Sequence, residues 1–180
     1  MHRMSVLACL VCLAFQFSCT TAPKTEEKKD ALAMNVEKTL ADMKTDDPSF
    51  GDFLDKTYGY VIFPTVGKGG FGVGASYGKG EVYEQAKMIG YADITQVTVG
   101  LQAGGQAFGE VICFQDKAAL DRFVNNKYEL AAQASAVALK SGAAANAKYA
   151  DGVAIFTYVK GGLMAEASLG GQRFNFTPVR

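Results

Sequence analysis

Thirteen of the chain's twenty glycines fall between Gly59 and Gly109, in sequence that otherwise alternates between apolar and polar residues as a strand does. Glycine weakens helices and leaves nothing to pack on a flat strand. This density therefore restricts the region to tightly curved or bulged sheet, or to a surface where backbone closely approaches something else. Function is to be sought there.

The amino terminus is of another kind. Met1 to Met4 carries one arginine, Ser5 to Phe17 is almost wholly apolar, and Ser18-Cys19 precedes polar Thr20, Thr21 and Lys24. That is the order of a signal peptide. The apolar run of about 13 residues is shorter than the ~20 a spanning helix needs. A cysteine just after it resembles a bacterial lipoprotein signal, in which the Cys19 thiol takes a diacylglycerol and becomes the mature N-terminus. Gln16 and Phe17 stand where such signals usually have leucine and a small residue, so plain secretion and a retained apolar anchor stay open. The expected division is a signal peptide over 1–18, a lipidated tether over 19–29 and a single domain over 30–180. The expected location is the periplasmic side of a bacterial membrane, the outer one in preference.

Removing that segment takes away His2, Cys9 and Cys12 and modifies Cys19, leaving Cys113 as the one free thiol. A single cysteine forms no intramolecular disulfide, and without histidine neither a Cys/His zinc site nor a histidine triad can be assembled. No metal and no cofactor is expected. Cys113 sits in the apolar run Glu110-Val111-Ile112-Cys113-Phe114 with no basic neighbour, and reads as a buried inert thiol. From Cys19 onward there are 17 basic and 18 acidic residues, a net charge of −1. No basic excess of the nucleic-acid-binding kind is present. Lys24 to Thr57 carries a net −3 and Tyr58 to Arg180 a net +2, so the glycine-rich part is mildly basic. About 160 mature residues, half of them apolar, suit one domain with its own core.

Leu32, Val36, Leu40 and Met43 recur at helical spacing and predict an amphipathic helix over Asp30 to Lys44. Asp47-Pro48 starts a second, with Asp47 as N-cap and Phe50, Phe53, Leu54 and Thr57 along one face. Strands are expected at Tyr60 to Phe63, stopped by Pro64; at Phe71 to Tyr77; at Glu81 to Tyr83 after a turn at Gly78-Lys79-Gly80; at Met88 to Tyr91; and at Val97 to Ala103, broken by Gly104-Gly105 before Ala107 to Phe114. Asp116 caps a helix burying Leu120, Phe123 and Val124 and ending at Asn125-Asn126. Three strands then follow at Gly152 to Tyr158, Leu163 to Leu169 and Arg173 to Thr177, with Gly161-Gly162 and Gly170-Gly171 as hairpin signals. Tyr128 to Leu139 is alanine-rich like a helix yet alternates like a strand, and Ser141 to Lys148 reads as loop or irregular helix. The fold class is α+β, predominantly antiparallel β: a strongly curved or barrel-like glycine-rich sheet with N-terminal helices and one helix inserted near 116–125.

No reactive constellation emerges. Gly67-Lys68-Gly69-Gly70-Phe71-Gly72 spells G-x-G-x-x-G but leads into alternating strand, whereas a dinucleotide fingerprint must open a helix. Glu110, Glu129 and Glu166 lie in or beside apolar strands, where a buried carboxylate would hold its proton. Outward-facing acids, or pairs with Lys127, Lys160 or Arg173, are the plainer reading. What remains is Lys68, Lys79, Lys87 and Lys160 near expected turns, beside Phe71, Tyr77, Tyr83 and Tyr158. Lysines at turn tips with neighbouring rings could meet phospholipid headgroups, although ordinary solvated turns would look the same.

Tyr60-Val61-Ile62-Phe63-Pro64, Gly70-Phe71-Gly72-Val73-Gly74, Gly100-Leu101-Gln102-Ala103-Gly104-Gly105-Gln106, Phe108-Gly109 and Lys160-Gly161-Gly162-Leu163-Met164-Ala165 together resemble the SYLF domain, also called the Ysc84 actin-binding domain. The resemblance runs from about Leu32 to Pro178. It implies a lipid-binding, non-enzymatic domain, supports strand after Tyr128, and assigns membrane contact to the helix before the first strand, which here is acidic. Actin does not carry over, because an exported bacterial protein would not ordinarily meet it. The expectation is a phospholipid-binding envelope lipoprotein anchored through Cys19, with Lys68, Lys79, Lys87, Lys160, Phe71 and Tyr77 as headgroup candidates. The alternative is a structural or protein-interaction module of the envelope whose only lipid contact is its anchor.

Overall fold

The computed structural model describes residues 21–125, 136–159 and 171–179, with only the backbone described at 70–73 and 98–104. Helix α1 (Glu26–Asp46) starts four residues before the expected Asp30, because Thr25 caps it: its hydroxyl accepts from the Lys28 amide at 3.3 Å. Glu26 and Glu27 then occupy the first turn, where the helix dipole favours them. The apolar periodicity begins only at Leu32 and so hid this first turn. Asp47 ends α1 and, as expected, caps α2 (Pro48–Asp55), with Pro48 at the first helical position. Its buried carboxylate accepts from Ser49 N at 3.0 Å and Ser49 Oγ at 2.6 Å, and from the amides of Gly142 at 3.1 Å and Ala144 at 2.8 Å. One side chain thus joins two helices to the short 3₁₀ turn Ala144–Asn146, the structure found within the segment expected as loop or irregular helix.

The sheet differs from expectation in continuity. β1 (Gly59–Glu84) and β2 (Lys87–Phe114) are two long antiparallel strands paired from Glu84↔Lys87 to Gly59↔Phe114. Pro64 does not stop β1, since it falls in the register shift between Phe63 and Val66, where its missing N–H costs the ladder nothing. Gly78-Lys79-Gly80 is strand rather than turn, and Gly104-Gly105 does not break β2. The turn is Gln85-Ala86, both at positive φ (46° and 65°), without the glycine or asparagine that usually marks such a hairpin.

The ribbon folds back on itself, and the glycines explain how. A Cβ at Gly80 would collide with the Ile62 carbonyl oxygen and lie 2.7 Å from Phe63 Cδ1; one at Gly78 would lie 2.9 Å from Thr65 O. The two ends of β1 therefore lie against each other, and the Gln85 amide donates to Tyr58 O at 2.9 Å beside stacked Tyr60 and Tyr83 rings, 4.8 Å apart. We call Gly59–Val66 with Phe108–Phe114 the near arm, and Ala75–Glu84 with Lys87–Val97 the far arm. Between them lies one core: Val61, Phe63, Phe108, Ile112 and Phe114 from the near arm meet Val82, Ala92 and Ile94 from the far arm.

Helix α3 (Lys117–Val124), capped by Asp116 as expected, adds Leu120 and Phe123 to that core. β3 (Val137–Ala138) runs parallel to β4 (Val153–Val159), which pairs with the near arm of β2, while β5 (Gln172–Pro178) pairs with the far arm. β4 and β5 stand where the first and last of the three closing strands were expected; the middle one, and positions 126–135 with the start of the alanine-rich segment, lie outside the described residues. The second core covers the other face. Val36 and Met43 of α1 and Phe50 and Leu54 of α2 pack on Ile62, Val111, Cys113 and Phe156, with Phe50 and Phe53 both edge-on to Phe156 at 5.1 and 5.0 Å. Among the described residues the architecture is thus α+β and mostly antiparallel, and the strand path is a curved sheet that does not close into a barrel.

Gly80→Ala should lower unfolding free energy by about 1–3 kcal/mol, because a backbone carbonyl cannot yield to the added methyl. Gly105→Ala is the control: its Cβ would sit 3.7 Å from Lys68 O, an ordinary contact, and the change should stay within about 0.5 kcal/mol. Urea unfolding decides, and equal effects would contradict the close approach.

Candidate functional site

Register partners share a face of a sheet, so the pairs Ala75↔Val97, Tyr77↔Thr95 and Lys79↔Asp93, with Arg173 of β5 opposite Thr95, define one outer face of the far arm. The intervening Ser76, Gly78, Gln96, Gln172 and Phe174 point inward and are buried. Along this outer face cover changes abruptly. Glu81, Tyr91 and Asp93 are buried, Glu37 and Lys29 of α1 being close enough to act electrostatically on Glu81 and Tyr91 respectively. Beyond the first turn of α1 the face opens, leaving Tyr77 50% and Val97 71% exposed. Two large apolar side chains on one open strand pair are more informative than scattered ones.

Cations flank that opening. Lys79 Nζ donates to the Thr21 carbonyl at 2.7 Å and stands 5.8 Å from the centre of the Tyr77 ring, within cation–π range. With Lys24 and Lys28 it lines a cleft of about 380 Å³ that also includes Ala31 and Leu32, and among the described residues no acid lines it. On the other side Arg173 borders a second cleft of about 360 Å³ with Thr95 and Val97. The nearby acid Glu26 is engaged by Lys29 at 2.7 Å, and Lys24 and Lys28 of the first cleft are exposed. An apolar patch between cationic clefts can hold an anionic group on a greasy support.

Of the candidates read from sequence, Lys79 and Tyr77 come together here, on a strand rather than at a turn. Lys68 is also within β1, opposite Gln106, and half-buried. Both were placed near turns because glycine pairs suggest turns, whereas Gly78 and Gly80 permit strand-on-strand approach. Lys87 does adjoin the hairpin turn, but at the far end of the arm, roughly 17 Å from Lys79 along the strand. Phe71 is opposite Ala103 in the register. Lys160 and Cys19, like Glu129 and Glu166, lie outside the described residues. Lys24, Lys28, Val97 and Arg173 were missed: the lysines fell in a stretch read as tether, and nothing in an alternating strand says which face a helix leaves bare.

Among the described residues the acids do not converge. Glu110 is fully buried between the arms rather than turned outward, and among the described residues no cation pairs with it: Gln172 Nε2 donates to its Oε2 at 3.0 Å. Burial pushes its carboxyl up to about 7, against the opposing effect of that hydrogen bond. Glu81, also raised by burial, accepts from the Tyr83 hydroxyl at 2.7 Å beneath α1, on the other face of the sheet. Among the described residues no three His, Cys, Asp or Glu side chains gather into a metal-binding group. Cys113 is buried, and desolvation holds its thiol far above the ordinary range.

The chain has no tryptophan, so Val97→Trp supplies a single fluorescent probe of the open face. Its emission in buffer should be that of a water-exposed indole and should be quenched readily by iodide. A blue-shifted, protected indole would show that the face is covered.

Residues 95–177 match the profile of the Ysc84 family, described as Las17-binding protein actin regulator. The Beta cell expansion factor A of Aeromonas veronii is 31% identical over 164 residues, covering 84% of this chain and 59% of that protein. The chain therefore spans less than two thirds of that relative's length. The match begins in the far arm of β2 and runs through β4 and β5, so it contains Thr95, Val97, Glu110 and Arg173 of the features above. Through these residues the chain is similar to the Ysc84, or SYLF, family.

Proposed function

We propose that this chain is a non-enzymatic phospholipid-binding domain of the bacterial envelope, anchored through Cys19 and facing the bilayer with the open end of its far arm. The carrying observation is the Lys79–Thr21 bond. Thr21 is the second residue after Cys19, a reach of about 7 Å at most, so an acylated Cys19 would set the lipid surface beside Lys24, Lys28 and Lys79. Tyr77 and Val97 would then meet the interfacial region, a ring and a small aliphatic group flanked by cations. Each lysine contributes about 1 kcal/mol against an anionic surface. Such weak headgroup affinity suffices once acyl chains, at about 0.8 kcal/mol per buried CH₂, hold the domain in place and raise its local concentration. Among the described residues no helix is long and apolar enough to cross a membrane. Attachment in this reading is by the anchor and this face.

The Thr20 to Arg180 protein should sediment with vesicles rich in phosphatidylglycerol at low salt, release at high salt, and ignore phosphatidylcholine vesicles. Replacing Lys24, Lys28 and Lys79 together by glutamine should weaken binding about 100-fold, at roughly fivefold per lysine. No binding at low salt, or binding indifferent to the triple substitution, rejects the reading. If the unanchored protein instead stays with the envelope fraction while ignoring vesicles, the protein-partner alternative takes its place. For the anchor itself, Cys19→Ser should move the protein from the membrane to the soluble fraction, and the mass of the mature N-terminus should include the acyl chains.

A further inference from the structure

Glu110 and Gln172 form a hydrogen-bonded contact between side chains that crosses from near arm to far arm on the inner side of the ribbon. Glu110 stands in the near arm, opposite Phe63 of β1 and Thr157 of β4. Gln172 begins β5 on the far arm, opposite Gln96, which accepts from Ser76 Oγ at 3.4 Å. Both Glu110 and Gln172 are 0% exposed. Only one bond joins them, Gln172 Nε2 to Glu110 Oε2 at 3.0 Å, and the remaining oxygens, Glu110 Oε1 and Gln172 Oε1, are buried without a partner.

Two orphaned acceptors on a pair already sharing one bond are a specific chemical deficit. Buried polar atoms without partners destabilise the fold, and two acceptors cannot satisfy one another without a proton between them. A carboxylic acid and a primary amide, by contrast, form a closed ring of two hydrogen bonds. The amide N–H donates to one carboxyl oxygen and the acid O–H donates to the amide oxygen. A proton on Glu110 Oε1 supplies the missing donor, and both orphans are satisfied at once.

We infer that Glu110 and Gln172 are a proton-operated clasp between the two arms, closed as an acid–amide ring when Glu110 is protonated and opened when the carboxyl ionises. The surroundings agree. Phe63 on β1, Thr157 on β4 and Gln172 on β5 are the facing groups, and none carries charge. Thr39 of α1, which lies against Gly109, is uncharged as well. Arg173, next along β5, is on the outer face. Among the described residues no charged side chain acts on the Glu110 carboxyl: burial raises it and the Gln172 bond opposes that rise. An ionised Glu110 would therefore stand in the core with one donor and no counter-charge, a state that favours parting of the arms. Opening would begin where Gln172 joins Gln96, at the end of the far arm next to Val97.

The sign follows from which state holds the proton. The folded chain keeps it to about pH 7 and the unfolded chain to about 4.5, so the stability it contributes is complete below the lower value. It declines as pH rises between them, by up to roughly tenfold in the unfolding constant per pH unit, and then levels off.

The test is urea unfolding of the full chain between about pH 5 and about pH 8, beside Glu110→Gln. Glutamine is the neutral isostere and can close an amide–amide ring at any pH. The wild-type midpoint should fall over this range more steeply than that of E110Q, and exchange of the β2–β5 ladder amides, corrected for its intrinsic pH dependence, should accelerate only in wild type. Infrared spectroscopy should show a protonated carboxyl near neutral pH that E110Q lacks. Should E110Q fail to fold, Gln172→Leu serves instead, which leaves Glu110 without its one donor and should carry that carboxyl band to higher pH. Parallel pH profiles for wild type and E110Q, a Glu110 carboxyl already ionised at pH 5.5, or ladder exchange that is the same in both proteins would each overturn the clasp.

Discussion

Backbone resting on backbone, where Gly78 and Gly80 meet Thr65 and Ile62, is the contact that everything else in this domain presupposes. It brings the ends of a 26-residue strand together, which no pair of side chains of ordinary size would allow. Only then can Phe63, Phe108 and Phe114 share a core with Val82, Ala92 and Ile94. Each large side chain so enclosed is worth about 1.5–3 kcal/mol, and separated arms would expose them together. Curvature here is not an ornament of the sheet; it creates the interior.

The same curvature apportions the exterior. One outer surface is needed for α1 and α2, whose Val36, Met43, Phe50 and Leu54 have nowhere else to go. Helix α1 begins at Glu26, so its cover runs out between Lys79 and Tyr77. The bare patch is therefore the remainder of a surface that a longer helix would have sealed, and it falls next to the chain's exit toward Cys19. Lysines that look unremarkable along the sequence become neighbours because Thr21 is held to Lys79 at this spot.

Much of this was legible beforehand, and for definite reasons. Asp47-Pro48 and Asp116 announced their helices through capping chemistry, which is local, and β4 and β5 through uninterrupted apolar alternation. The SYLF resemblance rested on several spaced motifs and holds. What misled was glycine, whose two uses look alike in one dimension: Gly78-Lys79-Gly80 has the composition of a turn, yet its role depends on Ile62, sixteen residues earlier and more. The true turn, Gln85-Ala86, carries no local mark. Within the site, Tyr77 and Lys79 were found because rings and cations are visible in any sequence. Val97 and Arg173 were not, since exposure depends on where a helix ends. Gln172 was invisible as a partner of Glu110 for the same reason, a contact between segments sixty-two positions apart.

The tight turn at Gln85-Ala86 also dictates an order of assembly. Pairs beside it, Glu84 with Lys87, close almost no loop, whereas Gly59 with Phe114 closes one of more than fifty residues. Zippering outward from the turn meets the smallest entropic cost at every step, so the far arm forms before the near one and the shared core condenses last. A chain built this way has its slowest event at the end of a long, largely solvated ribbon. Until that moment the apolar faces of both arms are open to other molecules, and so the nascent protein is exposed to aggregation for as long as the zipper takes to reach Gly59.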